Sequence, residues 1–176
     1  MIPGLTVKEE YISEEEEKKL LDFLYAQEWS TKLSRRTQHY GYEYVYTPPY
    51  NLQPAPKVPE MLQEYGDMIY PNYFNQVIVN EYTPGQGIGK HTDHKRLFGD
   101  VIASISLGSA TTIIFSQGDT HVELYVKPRT LIIMEDEARW RATHEIAGKK
   151  SDMVSGKVIP RGTRVSITYR RTNEKV

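Results

Sequence analysis

The chain has 176 residues, a formal net charge of −1 and no cysteine. That length suits one domain with its own hydrophobic core, and 39% apolar with 26% charged residues is ordinary for a soluble globular protein. The lack of cysteine excludes disulfides, thiolate zinc sites and a cysteine nucleophile, so a metal would have to be held by His, Asp or Glu. The near-zero charge argues against a whole-molecule polyanion binder, although bases cluster at Arg35-Arg36, Lys90 to Arg96, Lys149-Lys150 and Arg170-Arg171. No apolar run approaches the ~20 residues of a membrane span. The start, Met1-Ile2-Pro3-Gly4, lacks the pattern of a signal peptide. The expectation is a cytoplasmic protein (nuclear in a eukaryote) without a membrane partner.

Residues 5–12 read as a short strand. Ser13 with Glu16 forms a Ser-x-x-Glu capping box, and Leu20, Leu21, Phe23 and Leu24 supply an apolar stripe, so a helix is predicted over 14–27. Tyr40, Tyr42, Tyr44 and Tyr46 then alternate, which predicts a strand with four tyrosines on one face beside Arg35 and Arg36. Such a face is either a stacking platform for a planar group or amphipathic cover for a sheet. Residues 47–59 form a proline-rich loop, and 59–69 a second helix that starts at Pro59. Residues 76–82 alternate, with Ile78, Asn80 and Tyr82 on one face. The glycine-rich turn 83–89 has no following Lys-Ser/Thr and opens no helix, which excludes a P-loop. Further strands are predicted at 101–107, 111–115, 123–126, 130–134 and 164–170. Many short strands behind two helices indicate an α+β chain built on a sandwich or barrel.

The chemistry gathers around His91-Thr92-Asp93. On extended backbone, residues two apart share a face, so one imidazole and one carboxylate point the same way. They supply two ligands of the two-His-one-carboxylate triad that suits non-haem Fe(II). The third ligand must come from elsewhere. Among five histidines, His144 lies just beyond the 130–134 strand, whereas His94 falls on the opposite face from Asp93; His121 is a further competitor. In 164–170, Arg164, Ser166, Thr168 and Arg170 share one face, and Val165, Ile167 and Tyr169 the other. Arginine forks grip carboxylates bidentately, so this face fits a small dicarboxylate. A solvated edge strand is the competing interpretation.

The order Asn80-x-Tyr82, His91-x-Asp93, His144, Arg164-x5-Arg170 resembles the AlkB family of Fe(II)/2-oxoglutarate dioxygenases over nearly the whole chain. Residues 78–88, 36–46 and the opening Pro3-Gly4-Leu5 are most similar to the AlkB-like domain of the eukaryotic tRNA wobble-uridine hydroxylases. The resemblance implies a single domain over 1–176 with a double-stranded β-helix (jelly-roll) core, N-terminal helices and a nucleotide-recognition lid over 35–59. It implies that His91, Asp93 and His144 hold Fe(II), with 2-oxoglutarate and O2 as cosubstrates. By the same resemblance, Arg164 pairs with the distal carboxylate of 2-oxoglutarate. Arg170, Asn80 and Tyr82 fix the rest of it, with Ser166 at a family position often filled by asparagine. Arg36, Tyr40, Tyr42 and Tyr44 are the expected substrate contacts in the lid. The implied activity is oxidation of alkyl groups on DNA or RNA bases, with N-methyl groups released as formaldehyde and 2-oxoglutarate converted to succinate. The alternatives are hydroxylation of a modified tRNA wobble uridine or of a protein side chain. A monomer is expected.

Overall fold

Ser13 caps the first helix of the chain. In the computed structural model, which describes residues 1–173, β1 (Leu5–Lys8) ends before Glu10, whose φ of +52° turns the backbone. Helix α1 (Glu14–Tyr25) then begins with both arms of the capping box, Glu16 N to Ser13 Oγ and Ser13 N to Glu16 Oε1, each 3.1 Å. Leu20 and Leu24 lie on its buried face.

The tyrosine run is not one strand. β2 (Arg36–Tyr40) and β3 (Tyr42–Tyr44) are separated by Gly41, whose φ is +79°. A Cβ there would lie 2.2 Å from the Asn75 carbonyl oxygen, so only glycine fits both the conformation and the space. The break rotates the chain, and the four tyrosines do not share a face. β3 pairs with β4 (Leu52–Pro54) in a two-stranded flap, and α2 (Glu60–Ile69) follows directly from Pro59.

Strands β5 (Gln76–Tyr82), β6 (Ile88–His91), β7 (Ile102–Gly108), β8 (Thr111–Gln117), β9 (Thr120–Val126) and β10 (Leu131–Met134) come next. After a short helix, α3 (Asp136–Trp140), come β11 (Thr143–Ile146), the hairpin β12 (Ser151–Val154) and β13 (Lys157–Pro160), and β14 (Arg164–Arg170). The prediction placed β14 and β5 correctly and the others within a few residues. It missed β4, which lies in the stretch read as a proline-rich loop, and also β6, β11, the β12–β13 hairpin and α3. β6 reads Ile-Gly-Lys-His, too short and too glycine-rich to show a period of two.

Two antiparallel sheets form the body: β1-β10-β7-β14-β5-β2 and β6-β11-β8-β9. Every residue of β5 is buried, because both of its faces are covered. On one face of the larger sheet, Val77, Val79, Ile105, Leu107, Val165, Ile167 and Tyr169 pack with Leu20, Leu24 and Leu62 of the helices. On the other, Tyr82, Ile102, Ile132 and Met134 meet Ile113, Phe115 and Ile146 of the smaller sheet. Two antiparallel sheets face to face, with the helices outside, are the expected jelly-roll arrangement. Among the described residues no helix is long and apolar enough to cross a membrane.

Candidate active site

Antiparallel pairing of β6 with β11 sets His91 directly opposite His144. Asp93 follows two residues after His91, past the end of β6, and is buried at 6% exposure. The linking Thr92 donates its hydroxyl to the Ala142 carbonyl at 2.8 Å. The Nε2 atoms of His91 and His144 approach the same Asp93 oxygen, Oδ1, at 3.4 and 3.5 Å. One donor atom from each of the three residues lies within 4.8 Å of the others.

The polar partners of this cluster prepare it for a cation. His91 Nδ1 donates to the Gly89 carbonyl at 2.6 Å, so its Nε2 carries the lone pair. Burial of His144 lowers its pKa to about 4, which keeps it neutral as a ligand must be. Burial works to lower the His91 pKa as well, but the Asp93 carboxylate and the Gly89 carbonyl raise it overall. Burial alone would raise the Asp93 carboxyl. Arg170 and the two imidazoles override it and hold the group well below the usual range. Asp93 Oδ2 accepts from Arg170 Nε at 2.8 Å. Two imidazole nitrogens and one carboxylate oxygen on one side of a cavity fit a divalent iron with open coordination positions.

Asn80 and Tyr82 from β5, and Arg164, Ser166 and Arg170 from β14, line one inner cavity of about 80 Å³ together with His91, Asp93 and His144. Strand alternation delivers them, because β14 and β5 are paired in register with Arg164 opposite Tyr82 and Ser166 opposite Asn80. Arg164 is 5% exposed, and its Nε donates to Ser106 Oγ at 2.9 Å. Its guanidinium lies over the Tyr82 ring, 5.4 Å from the centroid. Among the described residues no carboxylate comes within ion-pair range of it. Arg170 Nη1 is buried without a hydrogen-bond partner. A buried cation without an anion is costly, so Arg164 suits a ligand that brings carboxylates, and the unpartnered Nη1 of Arg170, whose Nε is already paired with Asp93, offers that ligand a further donor. A dicarboxylate such as 2-oxoglutarate meets that need. Apolar Ile113, Phe115, Ile132 and Met134 close the rest of the cavity.

The expected substrate residues go to different places. Arg36 forms a bidentate pair with Glu81 (Nε–Oε1 2.7 Å, Nη2–Oε2 3.0 Å) and lies over Trp29, away from the cavity. Tyr40 is in the helix-side core and donates its hydroxyl to Gln38. Tyr42 is 38% exposed on the flap. Tyr44 alone of the four lines an outer cavity of about 530 Å³ above the triad, joined by Arg35, Tyr46, Tyr50, Lys90, His94 and Phe98. The Tyr44 and Tyr50 rings are nearly parallel at 7°, with centroids 6.5 Å apart. Arg35 donates to Asn80 Oδ1 at 3.0 Å and sits over Tyr46. Arg35, Tyr46 and Tyr50 all stand in the stretch 35–59 marked as a lid, although Tyr50 carried no signal of its own within the proline-rich loop. His94 stays outside the triad, its Nδ1 accepting from the Arg96 and Leu97 amides. His121 on β9 pairs with Ser116.

Residues 5–170 match the family model of the 2OG-Fe(II) oxygenase superfamily. The chain is 39% identical, over 98% of its length, to Uncharacterized protein L905 of Acanthamoeba polyphaga mimivirus and covers 87% of that protein. It is 32% identical, again over 98% of its length, to the tRNA (carboxymethyluridine(34)-5-O)-methyltransferase ALKBH8 of Macaca fascicularis, of which it spans only 31%. The solved structure of OsALKBH1 has the same fold, with a TM-score of 0.71 at 16% identity, covering 97% of this chain and 99% of that one. The chain belongs to the 2OG-Fe(II) oxygenase superfamily, a class of enzymes that use iron and 2-oxoglutarate. Within it, this is a member of the AlkB family of dioxygenases.

Proposed function

We propose that this dioxygenase oxidises alkyl groups on nucleic-acid bases, and that it removes N-methyl groups as formaldehyde. The observation that carries the proposal is the outer cavity. Near-parallel Tyr44 and Tyr50, with Tyr46, offer planar faces beside the triad, and the cations Arg35 and Lys90 stand among its lining residues. Every base has a face that stacks on an aromatic ring, and phosphates favour a cationic rim. The segment 35–59 acts as the recognition lid, with Arg35, Tyr44, Tyr46 and Tyr50 as its contacts.

Bound iron with 2-oxoglutarate and O2 supplies the oxidising power that places one oxygen atom in a substrate C–H bond. His91, Asp93 and His144 hold the metal. Arg164 and Arg170 neutralise the cosubstrate's carboxylates, with Asn80, Tyr82 and Ser166 lining the same space. The tyrosines orient the base, which must leave any duplex stack to reach the triad. A hydroxylated N-methyl carbon is a hemiaminal: its C–N bond breaks, the ring nitrogen takes the hydroxyl proton, and formaldehyde departs.

A second reading is hydroxylation of a substituent at carbon 5 of a wobble uridine, where no C–N bond can break and the alcohol persists. Identity of 32% to an ALKBH8 protein favours it. The two are separated by mass spectrometry of a panel of modified DNA and RNA oligonucleotides after reaction with Fe(II) and 2-oxoglutarate. Loss of a methylene with formaldehyde and succinate supports dealkylation. Gain of one oxygen without formaldehyde supports the uridine reading. Turnover with peptides but not with oligonucleotides would overturn both.

A further inference from the structure

Arg139, on the short helix α3, is 2% exposed, and among the described residues no carboxylate comes within ion-pair range of it. Each of its three nitrogens donates to backbone carbonyls of one loop. Nε donates to Gly99 at 2.7 Å and Nη1 to Asp93 at 3.0 Å, while Nη2 donates to His94 at 3.3 Å and Phe98 at 2.9 Å. The guanidinium also lies over the Trp140 ring, 4.0 Å from its centroid. A buried cation without an anion is expensive, and this one is placed where only partial charges compensate it.

The position explains what it does. The gathered loop, residues 93–99, holds one metal-binding candidate, Asp93, and two residues of the outer cavity, His94 and Phe98. Arg139 itself stands five positions before His144, on the segment that leads into β11. That segment is anchored from behind, with Ala138 N donating to the Pro3 carbonyl at 2.9 Å and Glu135 N to the Gly4 carbonyl at 2.9 Å. Asp93 is thus gripped twice, its main chain by Arg139 and its side chain by Arg170.

We infer that Arg139 is a positioning residue for the metal centre and the floor of the substrate cavity, setting the distance between Asp93 and His144. The inference rests on the reading that His91, Asp93 and His144 bind a metal. Lysine cannot replace it, because an ammonium presents its donors from a single point, whereas the guanidinium fork spreads them over several directions.

The test is titration of Co(II) into the full chain, for wild type, Arg139→Lys and His91→Ala, followed by the visible absorption of the bound ion, with thermal unfolding of the metal-free proteins alongside. Arg139→Lys is expected to unfold cooperatively without metal yet to bind Co(II) about 10–100-fold more weakly, the usual effect of losing a group that supports a ligand, and with an altered spectrum. It should also raise the KM for an oligonucleotide substrate. Co(II) affinity and spectrum equal to wild type in a folded Arg139→Lys protein would overturn the assignment. So would failure of both Arg139→Lys and Arg139→Gln to fold with or without metal, since Arg139 would then serve the fold alone. If wild type and His91→Ala bind Co(II) alike, the metal reading itself falls, and the positioning role falls with it.

Discussion

His91 and His144 are cross-strand partners on β6 and β11, with ring centroids 4.3 Å apart and both Nε2 atoms turned toward Asp93 Oδ1. The pairing is a register fact. A slip of one residue in either strand would send one ring to the opposite face. Gly89, two residues before His91, orients that ring, since its carbonyl accepts from His91 Nδ1 and fixes which nitrogen faces the cavity.

His91→Ala, Asp93→Ala and His144→Ala should each abolish iron-dependent succinate formation. The loss should exceed the ~10–100-fold cost of removing a mere supporting partner of a ligand. Far-UV circular dichroism should stay that of the wild type. Succinate formation that survives all three changes would mean the ligands are misassigned.

Arg164→Met should move stability and function in opposite directions. Removing a buried cation that lacks an anionic partner is expected to leave the cosubstrate-free protein as stable or to stabilise it by ~1 kcal/mol or more. Truncating one side of a buried charged contact costs ~2–5 kcal/mol in binding, so the KM for 2-oxoglutarate should rise at least about thirtyfold. Differential scanning fluorimetry and succinate assays read the two arms. A fall in melting temperature with an unchanged KM would refute the role.

The tyrosines should separate by position. Tyr44→Ala or Tyr50→Ala removes a stacking face worth ~1–3 kcal/mol per base, which raises the KM for the oligonucleotide but not that for 2-oxoglutarate. Tyr42→Ala should change neither. Tyr40→Ala should lower stability by ~3–5 kcal/mol, as truncation of a buried aromatic does, and this would show in urea unfolding. A substrate defect in Tyr42→Ala with none in Tyr44→Ala would contradict the cavity assignment.

Glu81 ties acid stability to one site. Its bidentate bond from Arg36 lowers its pKa against the opposing effect of burial, and the Tyr25 hydroxyl also donates to it at 2.7 Å. A carboxyl whose folded pKa is depressed stabilises the protein above its unfolded value of about 4.3, and the contribution fades as pH falls through the folded value. Glu81→Gln should therefore destabilise the protein at neutral pH by about 1–2 kcal/mol. That is less than a fully buried pair would lose, because the Arg36 side chain is 41% exposed. The gap between mutant and wild type should close as urea melts are taken from about pH 7 toward about pH 3; a constant gap would exclude this linkage.

The parts of the molecule legible from the chain alone are those governed by near neighbours. The capping box at Ser13, the alternation of 164–170 and the side shared by His91 and Asp93 depend on residues two to four apart, and each stands in the structure as the local rules require. The contacts that only the tertiary structure decided depend on distant backbone. Gly41 turns Tyr40 into the helix-side core while Tyr44 reaches the cavity, because the Asn75 carbonyl leaves no room for a Cβ. Pairing of β2 with β5 sets Arg36 against Glu81, while its neighbour Arg35 faces the cavity. His144 becomes the third member of the triad because β11 lies between β6 and β8. Arg139 shows no local pattern at all, since its partners are carbonyl oxygens 40 to 46 positions away, and a backbone carbonyl carries no sequence identity to read.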